Sequence, residues 1–379
     1  MDITKPLRLL GGISPQTFMK RHWQKRPLLI RQAIPGFAPV LDRTALFELA
    51  GRDDVESRLV RQTAKGWGLK SGPFSRRALP ALKTPQWTLL VQGVEAQHAG
   101  VRQLMDQFRF VPDARLDDVM ISYASPGGGV GPHFDSYDVF LLQAQGRRRW
   151  TISAQKDLAL QAGAPLKILQ NFTGEQSFDL EPGDMLYLPP RYAHDGVALD
   201  ECMTYSVGFR APKQQELALA LIQRMADGLD DGDAAPAGNT WYRDVGHAAV
   251  EAPAGMPPEL LAFARQSVQS VLADTDALAR VLGEYLTEPK AQVWFDRQTV
   301  NRAVRGGANL QLDPRTRMLF DAQHIFINGE SFIASGRDAR LMRELANQRV
   351  LGAAERARLS GPARELVDQW LACGWLKEA

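Results

Sequence analysis

Three residues of this chain have the side chains and the spacing of a metal site. His133 and Asp135 are two positions apart at the start of a predicted strand, so both side chains point to one face while Phe134 points to the other. A third ligand must come from another strand, and His194, which lies after a Gly-initiated strand and two prolines, is the candidate. Two histidines and one carboxylate leave positions open on the metal, as in non-haem Fe(II) oxygenases. We therefore predict that His133, Asp135 and His194 are the metal ligands and form the catalytic centre.

A run of three arginines follows on the next predicted strand. Strand alternation places Arg148 on one face and Arg147 and Arg149 on the other. An arginine inside a barrel is a buried cation, which requires an anionic partner. A dicarboxylate co-substrate would supply one, because a planar guanidinium can pair with a carboxylate through two hydrogen bonds. We predict that Arg148 binds this co-substrate; the alternative is a solvated basic edge or a nucleic-acid contact.

The elements that must position these residues are short strands. Many apolar strands separated by Gly- and Pro-containing turns are typical of a β-sandwich or barrel. The predicted strands are 28–30, 119–123, 139–143, 148–152, 178–180, 185–188 and 204–209.

Helices flank this strand-rich region. Ser14 followed by Pro15 predicts a helix start, and 44–50 and 98–109 are also predicted to be helical. After Pro212 the pattern becomes helical at 214–229, 260–272 and 277–286. Asn328-Gly329 predicts a hairpin turn. Amphipathic helices at 341–351 and 363–372 complete a winged-helix-like end.

Length and composition limit the class of protein. A chain of 379 residues with 45% hydrophobic and 23% charged residues is expected to form two or three globular domains. The net charge of only +2 argues against extensive nucleic-acid binding. Two cysteines give no disulfide framework, and no signal peptide or membrane span is evident. We expect a cytoplasmic protein without a membrane partner.

Longer motifs around the predicted ligands resemble a known family. Residues 119–212 resemble the JmjC-type cupin hydroxylases, which carry an HxD pair, a basic residue on the following strand and a distal histidine. The run 126–140, with 146–150 and 205–212, resembles the bacterial ribosomal oxygenases more specifically. These are arginine hydroxylases that act on large-subunit ribosomal protein sixteen.

The resemblance implies the fold and the reaction. It implies an α+β chain with a double-stranded β-helix (cupin or jelly-roll) barrel at 1–212, a helical dimerisation region at 213–289 and a winged-helix-like domain at 290–379. It implies a homodimer, and the apolar stripe between Leu261 and Val271 is a candidate contact. The implied activity is that of a 2-oxoglutarate-dependent dioxygenase, a protein arginine 3-hydroxylase that uses Fe(II), 2-oxoglutarate and O2.

The family resemblance also indicates residues that would contact the co-substrate and the substrate. Ser122 and Ser206, polar residues on inward-facing strand positions, are expected to contact the co-substrate, with Thr204 as an alternative. The substrate arginine requires acidic or aromatic partners at the mouth of the pocket. The candidates are Tyr137, which we rank first, Asp138 and Asp118.

Three alternative functions remain at this level. An N-methyl demethylase begins with the same hydroxylation, so the metal site does not separate the two, although the 126–150 stretch favours stable hydroxylation. A zinc hydrolase or isomerase could use the same ligands, but Arg148 argues against it. A non-catalytic ribosome- or DNA-binding protein would explain a winged-helix-like end, but that end is nearly neutral.

Overall fold

The apolar strands of the N-terminal half form two antiparallel sheets. The computed structural model describes residues 1–64, 66–230, 241–249, 254–296 and 308–378. A first compact unit contains residues 1–211 together with 290–296 and 313–315. A second contains the described residues of 212–289, 308–312 and 316–378.

The barrel of the first unit is built from antiparallel pairs. Its strands are β1 (Leu28–Ile30), β2 (Ser57–Thr63), β3 (Gly66–Ser71), β4 (Trp87–Val91), β5 (Leu116–Ala124), β6 (Val139–Gln145), β7 (Arg148–Ser153), β8 (Gln176–Leu180), β9 (Met185–Leu188), β10 (Ala193–Ala198) and β11 (Cys202–Phe209). The eight-stranded sheet has the order β1-β9-β6-β11-β5-β4-β2-β3, and the three-stranded sheet has the order β10-β7-β8.

The larger sheet is buried on both faces, which explains why its central strands contain few polar residues. On one face, Phe140 and Tyr187 pack with the N-terminal helices, and the ring of Phe18 lies 5.4 Å from that of Phe140. On the other face, Leu141 packs with Trp150 of the smaller sheet. Two sheets that enclose a core in this way form the jelly-roll barrel expected from the sequence.

Short helices cover the outer face of the larger sheet. They are α1 (Pro15–Arg21), α2 (Arg43–Leu49), α3 (Val94–Gln97) and α4 (Ala99–Asp106). The predicted start of α1 is confirmed, since the Ser14 side chain accepts a hydrogen bond from the backbone N–H of Thr17.

The second unit combines helices with two small sheets. Its helices are α5 (Gln214–Asp230), α6 (Pro258–Leu272), α7 (Thr275–Thr287), α8 (Gly336–Gln348), α9 (Ala353–Ala357) and α10 (Gly361–Ala372). Its strands are β12 (Leu310–Leu312), β13 (Met318–Phe320), β14 (His324–Ile327), β15 (Glu330–Ile333), β16 (Val350–Leu351) and β17 (Leu376–Glu378). The predicted hairpin is confirmed: Asn328 and Gly329 both have positive φ, at 48° and 90°, and join β14 to β15.

Two sequence-based expectations differ from the structure. The hairpin of β2 and β3 was not predicted, because β2 ends in charged and polar residues and β3 contains two glycines. The adjoining β4 was also missed, although its five residues are buried and mostly apolar. The His133–Asp135 segment does not begin a strand: β6 starts only at Val139, and His133 forms an isolated bridge. Within the described ranges, no helix has both the length and the apolar character needed to cross a membrane.

Candidate metal centre

The two histidines predicted as ligands lie opposite each other on adjacent antiparallel segments. The N–H of His133 donates to the carbonyl of His194 at 2.9 Å, and the reverse bond measures 2.8 Å. This bridge places the two imidazole centroids 4.2 Å apart on the same side of the backbone. The His194 Nε2 atom lies 3.7 Å from Asp135 Oδ2. One ligand atom from each of the three residues lies within 4.8 Å of the others, so one ion can contact all three.

Backbone carbonyls fix the tautomers of both histidines. His133 Nδ1 lies 2.8 Å from the carbonyl oxygen of Gly131, and His194 Nδ1 lies 2.9 Å from that of Tyr192. Because a carbonyl oxygen can only accept, each Nδ1 must carry a proton, and each Nε2 keeps a lone pair for a metal. Burial, together with the nearby His133, lowers the pKa of His194 to about 4, so this imidazole is neutral at physiological pH.

The donor set fits a catalytic rather than a structural metal. Neutral imidazole and carboxylate donors suit Fe(II), and three protein ligands leave coordination positions for other molecules. Among the described residues, these three form the one His, Cys, Asp and Glu cluster with metal-ligand spacing.

The alternation predicted for the arginines is confirmed. Arg148 is only 5% exposed. Arg147 and Arg149 lie outside the barrel, where they form ion pairs with Asp200 and Asp179 at 3.0 and 2.7 Å. The sequence therefore placed one cation inside the barrel and two on its surface.

The guanidinium of Arg148 has unused hydrogen-bonding capacity. Its Nη1 atom lies 3.5 Å from the Ser122 hydroxyl, and the group stacks over Trp150 at 5.5 Å. Its Nε and Nη2 atoms are buried and have no partner among the described residues. Unpaired buried donors on a cation are costly. A carboxylate placed beside Arg148 would satisfy both nitrogens, so the site fits the far end of a dicarboxylate.

A polar strip on the inner face of the larger sheet runs past Arg148. Ser122 and Thr204 lie opposite each other on β5 and β11, and both are buried. The Thr204 hydroxyl donates to Gln143 Oε1 at 3.0 Å. Ser206 shares this face two residues further along β11 and is 7% exposed. Ser122 is thus in contact with Arg148, whereas the Thr204 hydroxyl already bonds to Gln143.

Tyr137 and Asp118, two of the predicted substrate contacts, lie close to each other. Asp118 Oδ1 and Tyr137 Cε2 lie 3.5 and 3.8 Å from the point that a Cβ atom on Gly208 would occupy. Burial raises the pKa of the Tyr137 hydroxyl, and the charges of Asp135 and Asp118 add to this effect. Tyr137 therefore lies within electrostatic range of the predicted ligand Asp135, and Asp118 lies within electrostatic range of Tyr137.

Asp138 does not lie at the mouth of the pocket as predicted. Its side chain is fully buried, and its carboxylate accepts hydrogen bonds from the Tyr187 hydroxyl at 2.6 Å and from Gln24 Nε2 at 3.1 Å. The physical reason is alternation, since Asp138 shares its face with Phe140, which packs toward the helices. We therefore withdraw Asp138 from the substrate site.

Sequence reasoning missed three residues that surround the site. Gln143 is a polar residue on an otherwise apolar strand, a signal that could have found it. Trp150 places its ring 5.7 Å from that of His194 and beneath Arg148. Glu95 lies on the short helix α3, which the sequence did not predict, and it is buried against β5.

A jelly-roll barrel that holds two histidines and a carboxylate beside a buried arginine defines the class of JmjC-type oxygenases. A family model described as "JmjC domain" matches residues 103–217, and one described as "ROXA-like winged helix" matches 270–377. The ribosomal protein uL16 3-hydroxylase of Escherichia coli is 33% identical over 330 residues, which cover 85% of this chain and 86% of that protein. The chain belongs to the ribosomal oxygenase family.

Other relatives agree with this placement. A probable ribosomal oxygenase from Haemophilus influenzae is 36% identical over 58% of this chain and 53% of its own length. The crystal structure of Escherichia coli YcfD superposes with a TM-score of 0.86 at 29% identity, covering 96% of this chain and 98% of YcfD. YcfD in complex with cobalt and 2-oxoglutarate gives a TM-score of 0.81 at 29% identity, covering 96% of this chain and 97% of YcfD. The expected barrel and winged-helix architecture is thereby confirmed.

Proposed function

We propose that this chain hydroxylates C3 of an arginine in the large-subunit ribosomal protein uL16, using Fe(II), 2-oxoglutarate and O2. The observation that carries the proposal is the similarity to a uL16 3-hydroxylase over 85% of the chain. The three ligand side chains and the buried Arg148 support it independently. A ribosomal protein substrate would place the enzyme in the cytoplasm.

Each group of the reaction has residues suited to hold it. His133, Asp135 and His194 would hold the iron, and Arg148 with Ser122 would hold the distal carboxylate of 2-oxoglutarate. When bound, the iron and 2-oxoglutarate supply the oxidising chemistry that adds one oxygen atom of O2 to a C–H bond. The protein would position the reactants relative to one another in the space between the two sheets.

Ser206 completes the proposed co-substrate site. It lies on the same inner face as Ser122, with Met120 and Leu141 as its neighbours on the adjoining strands. Its hydroxyl can serve as a donor to a carboxylate. We assign it a weaker role than Ser122, because Ser122 already contacts the Arg148 guanidinium.

The substrate arginine would lie between Tyr137 and Asp118. A carboxylate can pair with a guanidinium through charge-assisted hydrogen bonds, and an aromatic ring can stack on its plane. Gly208 has no side chain and leaves space between these two residues. The target carbon would thus approach the metal while its charged end is held at Asp118.

The direct test is mass spectrometry of the substrate. Purified uL16 from the same source is incubated with the enzyme, Fe(II), 2-oxoglutarate and O2, and the modified residue is located by fragmentation. We expect a gain of about 16 Da on one arginine, the mass of a single inserted oxygen. His133→Ala is the inactive control, and Arg149→Ala, which changes only a surface ion pair, is the active one. Unmodified uL16 in the presence of a metal-loaded enzyme would refute the proposal.

Demethylation is the second candidate, because one group of relatives is named for it. The bifunctional lysine-specific demethylase and histidyl-hydroxylase NO66 of Drosophila persimilis is 24% identical over 56% of this chain. The same incubation on methylated peptides separates the two activities. A demethylase would reduce the mass of the peptide and release formaldehyde, whereas a hydroxylase would increase the mass.

Dimerisation through the helical region 213–289 is a further part of the proposal, with the barrel at 1–212 and the winged-helix-like domain at 290–379. In α6 no described residue is buried, and Leu261 and Val268 are 50% and 60% exposed. Val271, at the end of the same stripe, is partly exposed. A second copy of the chain would cover this apolar stripe by two-fold symmetry.

Light scattering tests the dimer. We expect the wild-type protein to be dimeric at micromolar concentration and the Leu261→Glu, Val268→Glu double variant to be monomeric and folded. The matched control, Gln266→Glu with Gln269→Glu, adds the same charge to exposed polar positions of α6 and should remain dimeric. A monomeric wild-type protein would contradict the proposal.

A further inference from the structure

Glu95 is a buried carboxylate that the proposed reaction does not use. It lies on α3, is 7% exposed, and its Oε2 atom accepts a hydrogen bond from the backbone N–H of Val119 at 2.8 Å. In the opposite direction, Asp118 Oδ2 accepts from the N–H of Gly93, directly before α3, at 3.3 Å. The two acids therefore join the start of α3 to β5 by reciprocal hydrogen bonds, and one of them, Asp118, is the proposed contact for the substrate arginine.

The charges around this pair belong to one cluster. Lys290 Nζ lies 3.1 Å from Asp117 and 3.7 Å from Asp118, and Arg210 Nε lies 3.5 Å from Asp117. Glu95 interacts electrostatically with the negative charge of Asp118 and the positive charge of Lys290. Burial, followed by repulsion from Asp118, raises the pKa of Glu95 to about 7.

Asp118 connects this cluster to Tyr137, the other proposed substrate contact. It lies on the same face of β5 as Ser122, four residues away, and it approaches Tyr137 across Gly208. A change in the charge or position of Glu95 therefore acts on the substrate side of the site through Asp118 and the backbone of Val119. The predicted iron ligands His133 and His194 lie on other segments.

We infer that Glu95 is a positioning residue for recognition of the substrate arginine: it holds the Asp118 segment in place, and its ionisation adds a second negative charge that favours a bound guanidinium. This inference rests on the proposed function, with Asp118 as the substrate contact. When Glu95 is protonated, its carbonyl oxygen still accepts the Val119 hydrogen bond. When it is ionised, the cluster gains a charge that a cationic side chain can neutralise.

The consequence is a link between proton release and substrate binding. A cation that binds beside Glu95 favours its ionised form, and by reciprocity the ionised form binds the cation more tightly. The affinity for an arginine peptide should therefore rise with pH between about 6 and 8, by roughly fivefold to tenfold for a coupling of this kind. An uncharged side chain of the same shape should not show this rise.

The experiment measures peptide affinity rather than turnover. A short uL16 peptide with the target arginine, and the same peptide with citrulline in its place, are titrated by calorimetry at pH 6 and pH 8 into metal-loaded enzyme. Wild-type protein should bind the arginine peptide more tightly at pH 8 and the citrulline peptide equally at both values. Glu95→Gln keeps the hydrogen-bond acceptor but cannot ionise, so its arginine-peptide affinity should be independent of pH.

A second variant separates charge from position. Glu95→Asp keeps the acid but shortens the side chain, which removes the bond to Val119. We expect this variant to bind the arginine peptide more weakly than wild type at both pH values. A lower melting temperature with unchanged peptide affinity would indicate a merely structural role and overturn the inference. A Glu95→Gln profile identical to wild type would also overturn it. If wild-type enzyme binds the arginine peptide without hydroxylating it, the proposed function fails while the Glu95 test keeps its outcome.

Discussion

Replacement of Arg148 is the sharpest test of how this barrel binds its co-substrate. Arg148 is 5% exposed, and its Nε and Nη2 atoms have no partner among the described residues. A carboxylate bound to them would form a charge-assisted pair in a desolvated site. Truncation of one partner of such a pair reduces the binding free energy by about 2–5 kcal/mol. We therefore expect Arg148→Ala to raise the KM for 2-oxoglutarate about 30- to 5,000-fold.

The neighbouring arginines provide matched controls on the same strand. Arg149 donates two hydrogen bonds to Asp179 at 2.7 and 2.8 Å, and Arg147 pairs with Asp200, but both cations are about half exposed. Exposed ion pairs contribute about 0–1 kcal/mol. Their alanine variants should change the KM for 2-oxoglutarate less than about fivefold.

The assay follows succinate formation against 2-oxoglutarate concentration, with calorimetric binding as a readout that does not require turnover. Arg148→Met retains much of the side-chain volume and separates loss of charge from loss of packing against Trp150. Without ligand, neither Arg148 variant should lose the folded state, because the wild-type guanidinium is itself buried with unpaired donors. Equal effects from Arg147, Arg148 and Arg149 would refute the assignment and indicate a surface patch.

Four further variants test the site and its surroundings. His133→Ala should abolish iron binding, measured by metal analysis after dialysis, while circular dichroism remains unchanged. Gly196→Ala would place a Cβ atom 2.5 Å from the Trp150 ring, so we expect denaturant titration to show a loss of about 1–3 kcal/mol. Gly208→Ala meets no atom closer than 3.5 Å, so it should fold normally but raise the KM for the arginine peptide by narrowing the substrate site. Glu95→Gln should stabilise the protein at alkaline pH. The pKa of Glu95 is raised from 4.5 to about 7, so the folded state binds this proton more tightly than the unfolded state. The free energy of unfolding of the wild-type protein therefore falls as the pH rises from about 4.5 to 7. Denaturant unfolding should therefore show that the variant has a free energy of unfolding higher than that of wild type by on the order of 3 kcal/mol at pH 8, but not at pH 5.

Much of the barrel could be predicted because its strands have strong local signals. The segments that became β5, β6, β7, β9 and β11 are rich in apolar, β-branched and aromatic residues and are bounded by turns. The β2–β3 hairpin lacks this signal, since β3 lies at the edge of the sheet and most of its residues are exposed. An edge strand needs few buried side chains, so its sequence does not reveal its pairing.

The sequence alone predicted that His133 and Asp135 face the same way and that Arg148 faces away from Arg147 and Arg149. A two-residue spacing and a strand period of two are properties of the local backbone, and they separate Arg148 from its neighbours without knowledge of the fold. The same rule places Asp138 on the face of Phe140, and the prediction for Asp138 was wrong because proximity to the ligands in the chain was given more weight than alternation.

Only the tertiary structure decided which distant groups meet. The His133–His194 bridge joins residues about sixty positions apart and depends on the pairing of two segments that no local pattern specifies. The contact of Glu95 with Val119 likewise requires α3 to pack on β5. Burial then changes the properties of these groups. A carboxyl or guanidinium group in water is an ordinary surface charge, whereas the same group out of contact with water has a shifted pKa or requires a partner of opposite charge. Sequence supplies the groups and their local direction, whereas long-range packing fixes their neighbours and their solvent exposure.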